Sequence, residues 1–136
     1  RAPLEAGGPR EGITVDNPYD YALGRYRSNQ PDIAAGVDWI DRLLRLERAV
    51  DRRGVRFGLI FNSQAGGGRE TGSGERFERE TLEYLKLYYG RGGSPDNVIL
   101  QSWYHHPERV VPETEAGTMT HLVLEAEKIL RARAGR

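Results

Sequence analysis

The sequence predicts an α/β protein whose core is a parallel sheet made by three consecutive β/α units. Three observations lead there. Short apolar runs rich in β-branched residues occur three times, and each is followed by an apolar stripe at helical spacing. The stretches between them are long enough for right-handed crossovers, which set successive strands side by side in one direction. Finally, the segments leaving the predicted strands are polar and aromatic, whereas two of those entering them, "DRRGV" and "RGGSPDNV", are short turns. This last asymmetry is independent of how the strands are placed.

Residues 1–11 form an irregular leader rich in Gly and Pro. Gly12 to Asp16, "GITVD", reads as the first strand. Asn17-Pro18 stops it, because Pro has no ladder donor and holds the residue before it extended. Tyr19 to Gly36 reads as a long connection with room for one helical turn. Val37, Ile40, Leu43, Leu44 and Val50 then recur at helical spacing, with Arg42, Arg45, Arg48 and Asp51 between them and Gly54 as the closing cap. The Arg-rich face, with Arg52 and Arg53, reads as solvated and partly paired with Asp38, Asp41, Glu47 and Asp51.

Val55 to Phe61, "VRFGLIF", is almost continuously apolar, as in a strand covered on both faces. Ala65 to Gly74 is a Gly-rich loop, and Ser73 is placed to cap a helix carrying Phe77, Leu82, Leu85 and Tyr89 up to Gly90. Gly92-Gly93-Ser94-Pro95 is a turn, and Asn97 to Trp103 reads as the third strand. Met119, Leu122, Val123, Ala126 and Leu130 mark a last helix.

The length of 136 residues suits one domain. Twenty basic side chains balance twenty acidic ones, so the charge does not call for nucleic acid or an anionic membrane. The absence of Cys excludes disulfides, thiolate metal sites and a Cys nucleophile. No apolar run is long enough to span a membrane, and the chain reads as soluble. It begins in a loop without Met, which is expected of a processed product or of a fragment of a longer protein. Nothing in these residues chooses a compartment. A full-length chain with a signal peptide would be secreted or periplasmic.

In parallel α/β architectures ligands gather at the carboxyl ends of the strands. The three exits here are "DNPYD", "NSQ" and "SWYHHPE", which makes their residues the candidate site. Trp103 offers an indole face, and Ser102, Tyr104, Tyr19, Asn62 and Gln64 offer hydrogen-bonding groups around it. Asp16 is the first candidate acid among Asp16, Asp20, Glu108 and Glu113, and His105 is the candidate imidazole for acid or base work. Plainer roles stand beside these: Trp103 as core, Asp16 as an Asx cap of its turn, and Glu113 in the first turn of the last helix. His105-His106 does not make a metal site, since neighbours in extended chain point opposite ways and no Cys completes a set. The Gly-rich loop has neither phosphate-binding spacing, and no cofactor is expected.

"GVRFGLIFN" with the helix after it, then "PDNVILQSWYHHPERVVPE" and a last helix, resembles the closing units of TIM-barrel proteins related to glycoside hydrolases, including uncharacterised cellulase- or xylanase-like members. The resemblance covers about Ile13 to Leu130. It implies that the three strands are the last of a (β/α)8 barrel, that the rest of the barrel chain completes the site, and that the substrate is a carbohydrate or similar small polar molecule. It further implies that Trp103 floors a sugar subsite, in some members through a non-prolyl cis peptide. One feature departs from the family. Where those enzymes end the penultimate strand in a nucleophilic Glu, this chain has Asn62-Ser63-Gln64, and an amide cannot form a glycosyl ester. The expectations are therefore a glycoside-hydrolase-like enzyme, a non-catalytic carbohydrate-binding or interaction module on the same scaffold, or a barrel isomerase or lyase. A self-contained three-layer α/β domain is the alternative architecture.

Overall fold

The structure is a computed structural model that describes residues 11–24, 36–64, 72–103 and 105–135. Along the chain these form β1 (Gly12–Asp16), α1 (Tyr19–Ala22), α2 (Trp39–Asp51), β2 (Arg56–Phe61), α3 (Gly74–Gly90), β3 (Asn97–Leu100) and α4 (Met119–Ala134). The strands lie in the order β1-β2-β3 and both pairings are parallel. Asp16 stands beside Ile60, and Phe61 beside Leu100. The strand–helix alternation is thus an open three-stranded parallel sheet.

Each boundary has a local cause. Asp38 starts α2 by accepting the Asp41 amide at 3.1 Å, and Gly54 turns the chain after it with a φ of 71°, a region that costs a residue with a Cβ. Ser73 caps α3 through the Arg76 amide at 3.0 Å, and Thr118 caps α4 through the His121 amide at 3.2 Å. The expected helix at the chain's end therefore starts at Met119, leaving Glu113 outside its first turn, exposed in the turn that precedes it. That helix also runs four residues past Leu130, to Ala134.

β2 departs from the expectation of two covered faces. Phe57, Leu59 and Phe61 are at most 1% exposed and join Leu43, Leu44, Tyr84, Tyr88 and Ala126 in one core. All four described helices contribute residues to the buried core on that side. Ile60 points the other way and is half-buried. The apolar run hid this difference because Gly58, small enough to be covered by its strand neighbours Thr14 and Asn97, and Ile60 both read as core. β3 is shorter than expected, ending at Leu100 instead of Trp103. Ser102 turns away from a ladder and its hydroxyl donates to the His106 carbonyl. The cis peptide bonds among the described residues are His106–Pro107 and Val111–Pro112, so the Ser102–Trp103 bond is not one of them.

Candidate functional site

Parallel strands carry partnered residues on the same face, so Asp16, beside Ile60, and Asn62, two residues beyond Ile60, emerge together at the carboxyl end of the sheet. The side chains meet. Asn62 donates from Nδ2 to Asp16 Oδ1 at 3.1 Å, and Trp103 donates from Nε1 to Asp16 Oδ2 at 2.8 Å. One carboxylate therefore ties the exits of all three strands. Asn62 is 2% exposed, whereas Trp103 is 63% exposed, so the amide is a buried support and the indole is a surface. Fixing Nε1 leaves the ring faces open to a ligand. An ionised carboxylate has about four acceptor positions, so Asp16 keeps acceptor capacity for hydroxyl groups beyond its two protein donors. Asp16 and Asn17 also border a hollow of about 310 Å³ along β1, walled by Tyr21, Trp39, Leu43 and Leu46.

A second polar cluster adjoins the first. Asp20, in α1, accepts the Gln64 amide at 2.9 Å, which fixes the loop after β1 to the loop after β2. Ser63, buried, donates its hydroxyl to Glu80 of α3, and Glu80 is held in turn by Arg76 at 3.1 Å. Burial raises the Asp20 pKa above its ordinary value; the Gln64 amide works against that, and the nearby Glu80 carboxylate adds to it. Two carboxyl groups in unlike surroundings thus stand beside the strand ends, Asp20 with its pKa raised by burial and Glu80 paired with Arg76.

The remaining expected residues divide. The Tyr19 ring lies in the core, 4% exposed and tilted against Tyr84 at 6.4 Å, so the expected rim hydroxyl belongs to a buried ring; its amide donates to the Asn62 carbonyl at 3.0 Å. Gln64 reaches the cluster through its backbone. Ser102 shapes the turn after Trp103. His105 is exposed on the segment that follows, and Tyr104 lies outside the described residues. Among the described residues no group of three or more His, Asp or Glu side chains is set to hold a metal ion.

Three contributors escape a sequence reading. Tyr84 and Thr81, one turn apart on α3, are completely buried with hydroxyls that lack a hydrogen-bond partner among the described residues, as does Asn62 Oδ1. Burial first, and then the Asp16 carboxylate, push the Tyr84 hydroxyl above its ordinary pKa, which brings α3 into the surroundings of the site. Glu80 is the third. Its partners, Ser63 and Arg76, come from the loop after β2 and from its own helix, and the only signal in the sequence is the i, i+4 pair Arg76–Glu80.

A comparison of the chain with models of protein families, with curated proteins and with solved structures finds no match.

Proposed function

We propose that this chain is the carbohydrate-active portion of a glycoside-hydrolase-like barrel, with the sugar seated on Trp103 and read by Asp16. One observation carries this reading: an exposed indole is held rigid by its own N–H on a strand-end carboxylate, leaving both an apolar face and free acceptor positions. A pyranose needs that pairing, since its C–H face is apolar and its rim is hydroxyl. The sheet supports the barrel reading in that the described helices pack on one side and its other face, with Thr14, Ile60 and Ile99, has no described helix on it, as expected of barrel strands whose inner face meets the remaining units.

Titration with glucose, xylose and their β-1,4-linked oligomers while following Trp fluorescence tests it. Quenching is expected with wild type and with Trp39→Phe, and none with Trp103→Ala. Absence of quenching by every glycan, in a protein carrying the whole barrel, rejects the carbohydrate reading.

A second reading, a binding module without turnover, is favoured by Asn62. The residue at the end of β2 is an amide that donates to Asp16. Retained binding with no glycan hydrolysis in wild type selects the module. Hydrolysis abolished by Asp16→Asn, with binding kept, selects the enzyme.

A further inference from the structure

Asn62-Ser63-Gln64, the exit of β2, is held at every residue by groups from other elements. The Asn62 carbonyl accepts the Tyr19 amide at 3.0 Å, and its side chain donates to Asp16. The Ser63 hydroxyl donates to Glu80 of α3, and the Gln64 amide donates to Asp20 of α1 at 2.9 Å. Two of these four anchors are carboxyl groups that act on one another. Burial, and to a lesser degree the Glu80 carboxylate, hold the Asp20 pKa above its ordinary value against the Gln64 amide. An amide side chain at either position would accept the same hydrogens without that electrostatic cost. What a carboxylate adds is a shorter and stronger bond, and so a tighter geometry.

The geometry that is tightened belongs to Asp16. The ladder between β1 and β2 ends at Asp16 and Ile60, short of Asn62, and the exit bonds take over from it. Asn62 Nδ2 lies 3.1 Å from Asp16 Oδ1, and Trp103 Nε1 lies 2.8 Å from Asp16 Oδ2, so a shift of the exit reaches the indole through two hydrogen bonds. We propose that Asp20 and Glu80 are positioning residues of this site: by holding Gln64 and Ser63 from α1 and α3 they fix Asn62, and through it the Asp16 carboxylate and the Trp103 ring, in the arrangement that receives the ligand. That the ligand is a sugar rests on the carbohydrate reading of Trp103; the positioning itself is read on the indole.

The test follows the proton–nitrogen resonance of the Trp103 indole N–H, told from that of the other Trp by Trp39→Phe. Glu80→Ala and Asp20→Ala are expected to move it toward the position of a solvent-bonded indole and to weaken β-1,4-linked glucose or xylose oligomers about threefold to tenfold. Glu80→Gln, which keeps an acceptor for Ser63, restores most of both. Asp20→Asn separates positioning from folding: it removes a half-buried charge and leaves a weaker bond to Gln64, so the melting temperature rises while affinity falls. Should the Ala variants not fold, a pH titration of wild type decides. The groups facing Asp20 are the Gln64 amide, Glu80 and Arg76 of α3, and its own amide. Its titration appears in the Trp103 resonance as a step centred above pH 3.8 that Asp20→Asn lacks, while any step from Asp16 stays in both. An indole resonance unmoved by every substitution, with one pH profile for wild type and Asp20→Asn, overturns the positioning even where glycans bind. A resonance that moves as expected in a protein that binds no glycan upholds the positioning and rejects the sugar.

Discussion

Asp16 is the residue on which the candidate site converges, and its two hydrogen bonds lead to separable expectations. Asp16→Ala frees the indole and orphans the buried Asn62 amide, so both ligand affinity and stability fall, the latter by about 1–3 kcal/mol in chemical denaturation. Trp103→Ala should weaken binding with little loss of stability, because the ring is mostly exposed. Asp20 gives a pH signature. Its folded pKa lies above the ordinary 3.8, so the folded state holds a proton that the unfolded chain releases, and stability falls as pH rises through the window between the unfolded and folded values. Asp20→Asn, which can still accept the Gln64 amide, should raise the melting temperature at neutral pH and lose that advantage below pH 3.8. At this scale the sequence discloses Asp16, Asn62 and Trp103, since each ends a strand or follows one and the exits of parallel strands share a side. It does not disclose that Tyr19 turns inward or that Glu80 reaches Ser63. Those outcomes depend on α3 crossing behind β2, and no local pattern records the meeting of residues in separate elements.

Among the elements, the helices are the most legible, because their caps are chemical: Ser73 was a hydroxyl in the right place before the apolar stripe, and it accepts the amide that a cap should. Ser73→Ala should cost about 1 kcal/mol in thermal or denaturant unfolding. Gly74→Ala should cost more despite better helix propensity, because its Cβ would meet the Gly117 carbonyl oxygen at 2.2 Å and the 105–118 segment would have to move. A milder loss than Ser73→Ala would mean that this segment yields easily. The short third strand was not legible. "NVILQSW" has strand composition throughout, and its end is set by the Ser102 hydroxyl finding the His106 carbonyl, a turn that composition does not signal.

For the molecule as a whole, the decisive fact is that the described helices cover one face of the sheet, with Ile60 half-buried on the other. Leu59→Ala removes a side chain with no exposure and should cost about 2–5 kcal/mol, whereas Ile60→Ala, on the open face, should cost well under half as much in this chain. In a protein where further β/α units close over Ile60, the two losses become similar, so the pair of variants measured in short and long chains reports whether a barrel forms. The parallel order and the single core were legible because the alternation and chirality of β/α units leave few other arrangements. The face without a described helix was not, since an unbroken apolar run has no period from which to tell one face from two. The order β1-β2-β3 has a final consequence: among the described residues, β1 and β3 each keep one row of backbone N–H and C=O groups without a neighbouring strand. Nothing resembling a gatekeeper Lys or Pro interrupts "GITVD", so wherever such a flank stays uncovered it is a template, and copies of the chain would pair through it and precipitate as the protein is concentrated.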